Sequence, residues 1–352
     1  MASSKENLAV SDGSLDTLAL QASNSNTNYY SEETEILRGT GSCKDSIRKR
    51  PKKKFITQSL SLALVDVATA NGDQKWIQKY WNTYHCQNRL TTYEGRAYGY
   101  YCKNRWCSIC VANRKADLIN KYHPVLNTWS DIHFLTLTVK AQPHQNLNKW
   151  IGGMIKALSK ILKNANQKYR RGKGPRLKGI KSLECNYNPI KKTYNPHYHI
   201  LTDSKETAEI IKSEWVKIWT SKFALPYLQK VRKVQHTEKD IIETIKYGAK
   251  IFTDPMMTKT KVKKDHAIYA AALHEIYKAM SEHQLFGKFG FQLAKNTHAV
   301  SKGKRALQTQ KWVYESSLTD WVNIDTGQIM TQYMPDQELK NIINNRIDTN
   351  LK

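Results

Sequence analysis

The run Asn195-Pro-His-Tyr-His-Ile-Leu201 limits what this chain can fold into more than any other stretch. Side chains at i and i+2 of a strand project from one face, so His197 and His199 present two imidazoles together while Tyr198 points the other way. Two further segments read as strands. Ile132–Val139 alternates Leu135, Leu137 and Val139 with Phe134, Thr136 and Thr138, and reads as a central strand. A second strand is expected from about Ile180 to Tyr187. The stretch from Asn188 to Pro196 reads as a hairpin connection into the histidine strand, which would start near His197. Antiparallel pairing then sets Glu184 across from the histidines as a third ligand, with an exposed strand acid as the bland alternative.

Helical spacing fills the intervals. Trp150, Ile151, Met154, Ile155, Leu158, Ile161 and Leu162 describe one amphipathic helix, with Asn146 or Asn148 as its cap. Ala208, Ile211, Trp215, Ile218 and Trp219 describe another over 206–223. A third, over 240–250, carries Glu243, Tyr247 and Lys250 along one face, and a fourth runs through Ala267 to Met280. Strands and helices thus alternate from about residue 130 onward.

Charge narrows the partner. The chain has 56 Lys and Arg against 30 Asp and Glu, a formal charge of +26, which calls for a polyanion because phosphate neutralisation releases condensed counterions. No apolar run is long enough to cross a membrane and no lipidation signal is found, so DNA is favoured over an acidic membrane and the location is expected to be the cytoplasm. Residues 1–47 differ, with seven acidic and three basic residues in a Ser-, Asn- and Thr-rich context that reads as a disordered tail without a secretion signal. Arg48, Lys49, Arg50, Lys52, Lys53 and Lys54 close this tail as a flexible arm for the phosphate backbone. Arg170 and Arg171 sit in a Gly-rich basic link from 169 to 178, which fits a loop over DNA or a solvated connection.

Four of the six cysteines cluster. Cys86, Cys102, Cys107 and Cys110 offer ligands for a structural Zn²⁺; buried free thiols and a redox pair are the other readings. Arg105 and Arg114 lie beside the cluster among Tyr100, Tyr101 and Trp106, a mixture that holds phosphates and stacks on unpaired bases, or else forms a small packed core. The expected organisation is a tail over 1–55, a zinc-binding subdomain over 56–125, a catalytic domain over 126–295 and an appended region over 296–352 with Trp312, Tyr314, Trp321 and Tyr333.

Two histidines and a carboxylate suit a divalent ion, Mn²⁺ or Mg²⁺, that polarises a phosphodiester. Tyr247 is then the candidate nucleophile, Lys250 a cation that favours its attack, and Glu243 a general base for a second transfer.

The order of these motifs resembles that of the rolling-circle replication initiators of plasmids, single-tyrosine endonucleases of the HUH type. Phe134-Leu-Thr-Leu-Thr-Val-Lys140 is similar to the family's first motif, Asn195–Leu201 to its histidine motif, and Glu243-Thr-Ile-Lys-Tyr-Gly-Ala-Lys250 to its tyrosine motif. Arg105-Trp-Cys-Ser-Ile-Cys-Val-Ala-Asn-Arg114 resembles the cysteine segment upstream, with Ser108 where many members have proline. The resemblance covers about residues 80–255. It implies an α+β fold with a central antiparallel sheet flanked by helices, and a site-specific DNA endonuclease and strand transferase in which Tyr247 forms a 5′-phosphotyrosine at a plasmid origin, single-stranded or supercoiled, and frees a 3′-OH primer. It also implies that Glu243 assists the terminating cleavage and that a host helicase opens the duplex, since the chain has no Walker-type loop of its own. A transposase of the same chemistry, cutting element ends, and a non-catalytic zinc-stabilised DNA-binding regulator are the other readings.

Overall fold

The computed structural model describes residues 47–93, 96–235, 237–244, 250–253, 266–293 and 309–350. The acidic tail, Tyr247 and the basic run at 259–264 lie outside the described residues.

A five-stranded antiparallel sheet organises the molecule. Its strands are β3 (His133–Thr138), β4 (Gly179–Asn188), β5 (Thr193–Thr202), β6 (Lys230–Lys233) and β8 (Phe286–Phe289), in the order β6-β3-β5-β4-β8. The histidine strand β5 is therefore the central one, with β3 beside it. β5 begins four residues before His197, because Thr193 to Pro196 continue the ladder with β4. Proline is tolerated there since β3 ends at Thr138 opposite His197, leaving β5 with β4 alone as its ladder partner at Pro196.

Both sheet faces are covered. Leu135, Leu137, Leu183, Tyr198 and Ile200 point into the main core. There they meet α4 (Leu147–Arg170), α5 (Lys205–Phe223) and α7 (Ala270–Met280) through Ile151, Met154, Leu158, Ile211, Trp215 and Ile276. α5 opens on Ser204, whose hydroxyl accepts the Thr207 amide. Asn146 does stand at the N-cap of α4, but its side chain caps nothing; a 3-10 turn over His144–Asn146 leads into the helix instead. Residues 267–269, expected to be helical, are extended. Ala267 bridges to Thr253, and β7 (Ile268–Tyr269) pairs with β11 (Ile347–Asp348) before α7 begins.

On the opposite face a smaller core joins Phe134, Ile180 and Leu201 to Ile119, Tyr122 and Leu126 of α3 (Ser108–Leu126) and to Ile241 of α6 (Thr237–Thr244). Gly290 closes this side after β8 with φ +73°, and a Cβ there would stand 1.8 Å from the Leu177 carbonyl oxygen.

Contacts run across the expected boundaries at 55 and 296. Residues 50–54 begin α1 (Arg50–Ala70), whose Ile56, Leu60 and Leu64 enter the main core along with Trp76 and Tyr80 of α2 (Gln74–Tyr84). A second antiparallel sheet has the order β10-β9-β1-β2, built from β1 (Arg89–Tyr93), β2 (Arg96–Gly99), β9 (Gln310–Glu315) and β10 (Asp320–Asn323). The C-terminal region is thus not appended but pairs with the segment after Cys86. Trp312, Tyr314 and Trp321 pack with Leu90 beneath this sheet. Trp321 donates its indole N–H to the Gln87 carbonyl at 2.8 Å. Leu339 and Ile342 of α8 (Gln337–Asn345) return to the main core.

Candidate metal centre

The ladder places Glu184 opposite His197, and Thr136 opposite His199, on the face that carries the smaller core. Glu184 and His197 are each 8% exposed, so three polar side chains share a nearly dry site. His197 Nε2 lies 3.7 Å and His199 Nε2 3.8 Å from Glu184 Oε2, too far for hydrogen bonds, while the two rings meet edge to face at 4.8 Å. The donor atoms converge within 4.8 Å of one another, and the buried Glu184 Oε1 has no hydrogen-bond partner among the described residues. An orphaned carboxylate oxygen beside two imidazoles is costly unless a cation completes it, so this donor set fits a divalent ion.

The backbone fixes the tautomer. His197 Nδ1 lies 3.0 Å from the Asn195 carbonyl, so this nitrogen donates and Nε2 keeps the lone pair that faces Glu184. Burial pushes the His197 imidazole down, and the Glu184 carboxylate, joined by the Asn195 carbonyl and Glu243, more than offsets this, so the net shift is upward.

Helix α6 lies over this face. Glu243, half-buried on this helix, contributes a favourable charge to His197. Lys250 is exposed, and Tyr247 follows Thr244 by three positions outside the described residues. Sequence reading missed what holds α6 down. Asp240, 6% exposed, pairs with Arg232 of the edge strand β6, and the Arg232 guanidinium lies 4.4 Å over the Phe134 ring. Phe134 in turn stands 5.1 Å from the His199 ring. The sole sequence signal was the short basic run Lys230-Val-Arg-Lys233 next to the helix.

The four cysteines also converge, with donor atoms within 4.8 Å. Cys110 Sγ is 3.6 Å from both Cys86 Sγ and Cys102 Sγ, close to the roughly 3.8 Å edge of a tetrahedron with Zn–S bonds of about 2.3 Å. Backbone N–H groups of Cys102 and Cys110 donate to Cys86 Sγ and Cys107 Sγ at 3.4 and 3.5 Å. Hydrogen bonds from the neighbouring sulfurs pull the Cys102 thiol far down, whereas burial pushes Cys107 up. The donor set fits a structural ion.

The predicted phosphate contacts divide. Arg48, Arg170 and Arg171 are exposed. Lys54 is fully buried and works as an internal peg. Its ammonium donates to the carbonyls of Tyr84 and Cys86, each at 2.7 Å, and to Asn88 Oδ1 at 2.6 Å, while burial pushes its pKa down to about 8. Arg50 is buried as well, bonded to Gln87 Oε1 at 2.6 Å, and Lys52 sits 3.7 Å from Asp336. Lys49 and Lys53 are half-buried on the same stretch. Arg105 donates to the carbonyls of Met280 and His283, both at 2.7 Å, and so caps the end of α7. Arg114 donates to the Lys103 carbonyl at 2.9 Å. The flexible-arm reading therefore gives way, for residues 50–54, to a helix that braces the cysteine segment.

Fold and site define a basic α+β protein with a buried carboxylate–imidazole centre and a separate cysteine cluster. Within that class the match is specific: the model of the replication protein family spans residues 96–337, and the chain belongs to this family. It is 30% identical over 181 residues to the "Protein rep" of Staphylococcus aureus, covering 46% of this chain and 73% of that one. With the "Protein rep" of Streptococcus pneumoniae serotype 2 it shares 27% identity over 171 residues, 43% of this chain and 52% of that one. With that of Bacillus amyloliquefaciens it shares 26% over 168 residues, 45% and 47%. The chain thus spans about half the length of two of these relatives. No solved structure matches it. The resemblance to plasmid rolling-circle initiators drawn from the three motifs is supported by these relatives.

Proposed function

We propose that this replication protein initiates plasmid replication by nicking one DNA strand at the origin, using Tyr247 as nucleophile beside the Glu184–His197–His199 centre. The convergence of those three donors on the buried face beneath α6 is the observation that carries the reading. They would hold Mn²⁺ or Mg²⁺, which when bound supplies Lewis-acid polarisation of a phosphodiester.

The remaining chemistry belongs to the chain. His197, oriented by the Asn195 carbonyl, and the dry setting of Glu184 keep the donors preorganised. The Tyr247 phenolate oxygen bonds to phosphorus as the P–O3′ bond breaks; the phenol gives up its proton and the departing 3′-oxygen takes one, leaving a 5′-phosphotyrosine and a 3′-OH primer. Lys250 favours the phenolate. Glu243 accepts a proton from water in the terminating cleavage, a role supported by its place over the histidine face. The cysteine cluster would hold Zn²⁺ and stiffen the segment that precedes the catalytic sheet. Arg48, Arg170 and Arg171 contact phosphates, a host helicase opens the duplex, and the work is done in a bacterial cytoplasm. Among the described residues no helix is long and apolar enough to cross a membrane. We read the fold as HUH-like from the motif order and the five-stranded antiparallel sheet with the histidines on its central strand.

The test is an adduct assay. Full-length protein and Tyr247→Phe are incubated with supercoiled origin plasmid and Mn²⁺ or Mg²⁺, and protein-linked 5′ ends are scored. Adducts lost in Tyr247→Phe support the reading; adducts that persist in that variant, or nicks without any adduct, contradict it.

A further inference from the structure

The second sheet has one covered face and one open one. Leu90, Trp312, Tyr314 and Trp321 point inward. By strand alternation the other face carries Arg89, Thr91, Tyr98, Lys311 and Val313, and the register sets Lys311, Thr91 and Tyr98 side by side across three strands, with Arg89 beside Val313 in the next row. The openness is measurable: Tyr98 is 49% exposed and Val313 37%, and Arg89 and Lys311 are exposed too. Among the described residues neither Arg89 nor Lys311 makes an ion pair. Tyr100, 72% exposed, extends the aromatic edge toward Cys102.

We infer that this open face is a single-stranded DNA platform, separate from the metal centre, on which bases stack over Tyr98 while Arg89 and Lys311 hold the backbone. Uncommitted cations flanking an exposed ring match the chemistry of an unpaired strand, whose phosphates seek charge and whose bases seek a π-face. Thr91, a small residue, stands between Lys311 and Tyr98 in the row. The strands that carry Arg89 and Tyr98 are continuous with the cysteine cluster, since β1 follows Cys86 by three residues and β2 ends three residues before Cys102. Clamping that cluster fixes the platform. The inference extends the reading of the chain as an origin-nicking protein, but it concerns binding away from the chemistry and is tested without cleavage.

The probe is a labelled oligothymidylate about 20 nucleotides long, which contains no origin and is scored by fluorescence anisotropy against full-length protein at several salt concentrations. Tyr98→Ala is expected to weaken binding at least about fivefold, and Tyr98→Phe, which keeps the ring, to bind as wild type. The double variant Arg89→Ala/Lys311→Ala is expected to lower the salt slope by roughly 1.4. Unchanged affinity in Tyr98→Ala, an unchanged slope in the double variant, or a Tyr98→Phe as weak as the alanine variant overturns the platform. So does a dimer in sedimentation that Tyr98→Ala dissolves, which would make the face a contact between copies. Loss of Tyr247 adducts would leave these binding results untouched, so the two readings fail separately.

Discussion

Arg232 and Asp240 face each other across the gap between the edge strand β6 and helix α6, Asp240 buried and Arg232 spread over the Phe134 ring. This pair ties the helix that carries Glu243 to the sheet that carries the histidines. Removing Arg232 leaves the buried Asp240 carboxylate uncompensated, and charged hydrogen bonds of this kind are worth about 1–3 kcal/mol. Arg232→Ala is expected to lower stability by that amount in urea titration, and Asp240→Ala by less because the half-exposed guanidinium it frees is solvated. Equal stability of Arg232→Ala and wild type would show that α6 is held by Ile241 packing alone.

A second prediction concerns pH. His274 is fully buried, with Nδ1 2.7 Å from the Tyr80 hydroxyl and Nε2 3.2 Å from Asp73 Oδ2, and Lys278 donates to the same carboxylate at 2.6 Å. Burial lowers the His274 pKa below its ordinary value, with Asp73 opposing and Lys278 adding to the effect. The unfolded chain then takes up a proton near pH 6.5 that the folded chain refuses, so stability falls as pH drops below about 6.5. The Asp73 carboxyl, held down by Lys278, has the same sign at lower pH. The raised His197 pKa acts with the opposite sign in wild type and variant alike, so melting from pH 7.5 to 5.5 is expected to show a Tm that falls relative to that of His274→Gln. A slope of the same size in that variant would place the titrating group elsewhere.

The cysteine cluster is expected to carry one equivalent of zinc in protein purified without chelator. Cys110→Ser, which removes the sulfur nearest to two others, should lose most of that zinc in elemental analysis and lower Tm. Zinc-free wild-type protein with unchanged Tm would return the cluster to buried thiols.

Gly290→Ala is expected to cost at least about 2 kcal/mol, since it adds a Cβ at positive φ against the Leu177 carbonyl. Chemical denaturation reads this directly. A neutral substitution would mean that the turn after β8 shifts freely.

Much of the centre was legible because it is local. Period-2 alternation identified β3, the His-x-His pair marked β5, and an antiparallel hairpin leaves Glu184 few places other than opposite His197. The start of β5 was misjudged because proline reads as a strand breaker, and only the end of β3 at Thr138 explains why Pro196 fits. Long-range pairing was out of reach: β1 joins β9 across more than two hundred residues, and short amphipathic segments do not name their partners. Lys54 shows the same limit in charge. A basic run reads as a solvated arm, and only the three acceptors gathered around its ammonium turn it inward.

Glu184, His197 and His199 are expected to bind one divalent ion between them. Calorimetric titration of Mn²⁺ into zinc-replete full-length protein, against Glu184→Gln, His197→Ala and His199→Ala, measures it most directly. One Mn²⁺ per chain, weakened at least about tenfold by each substitution, is the expected result. Binding that is indifferent to all three substitutions, or no binding by the wild type, would contradict it.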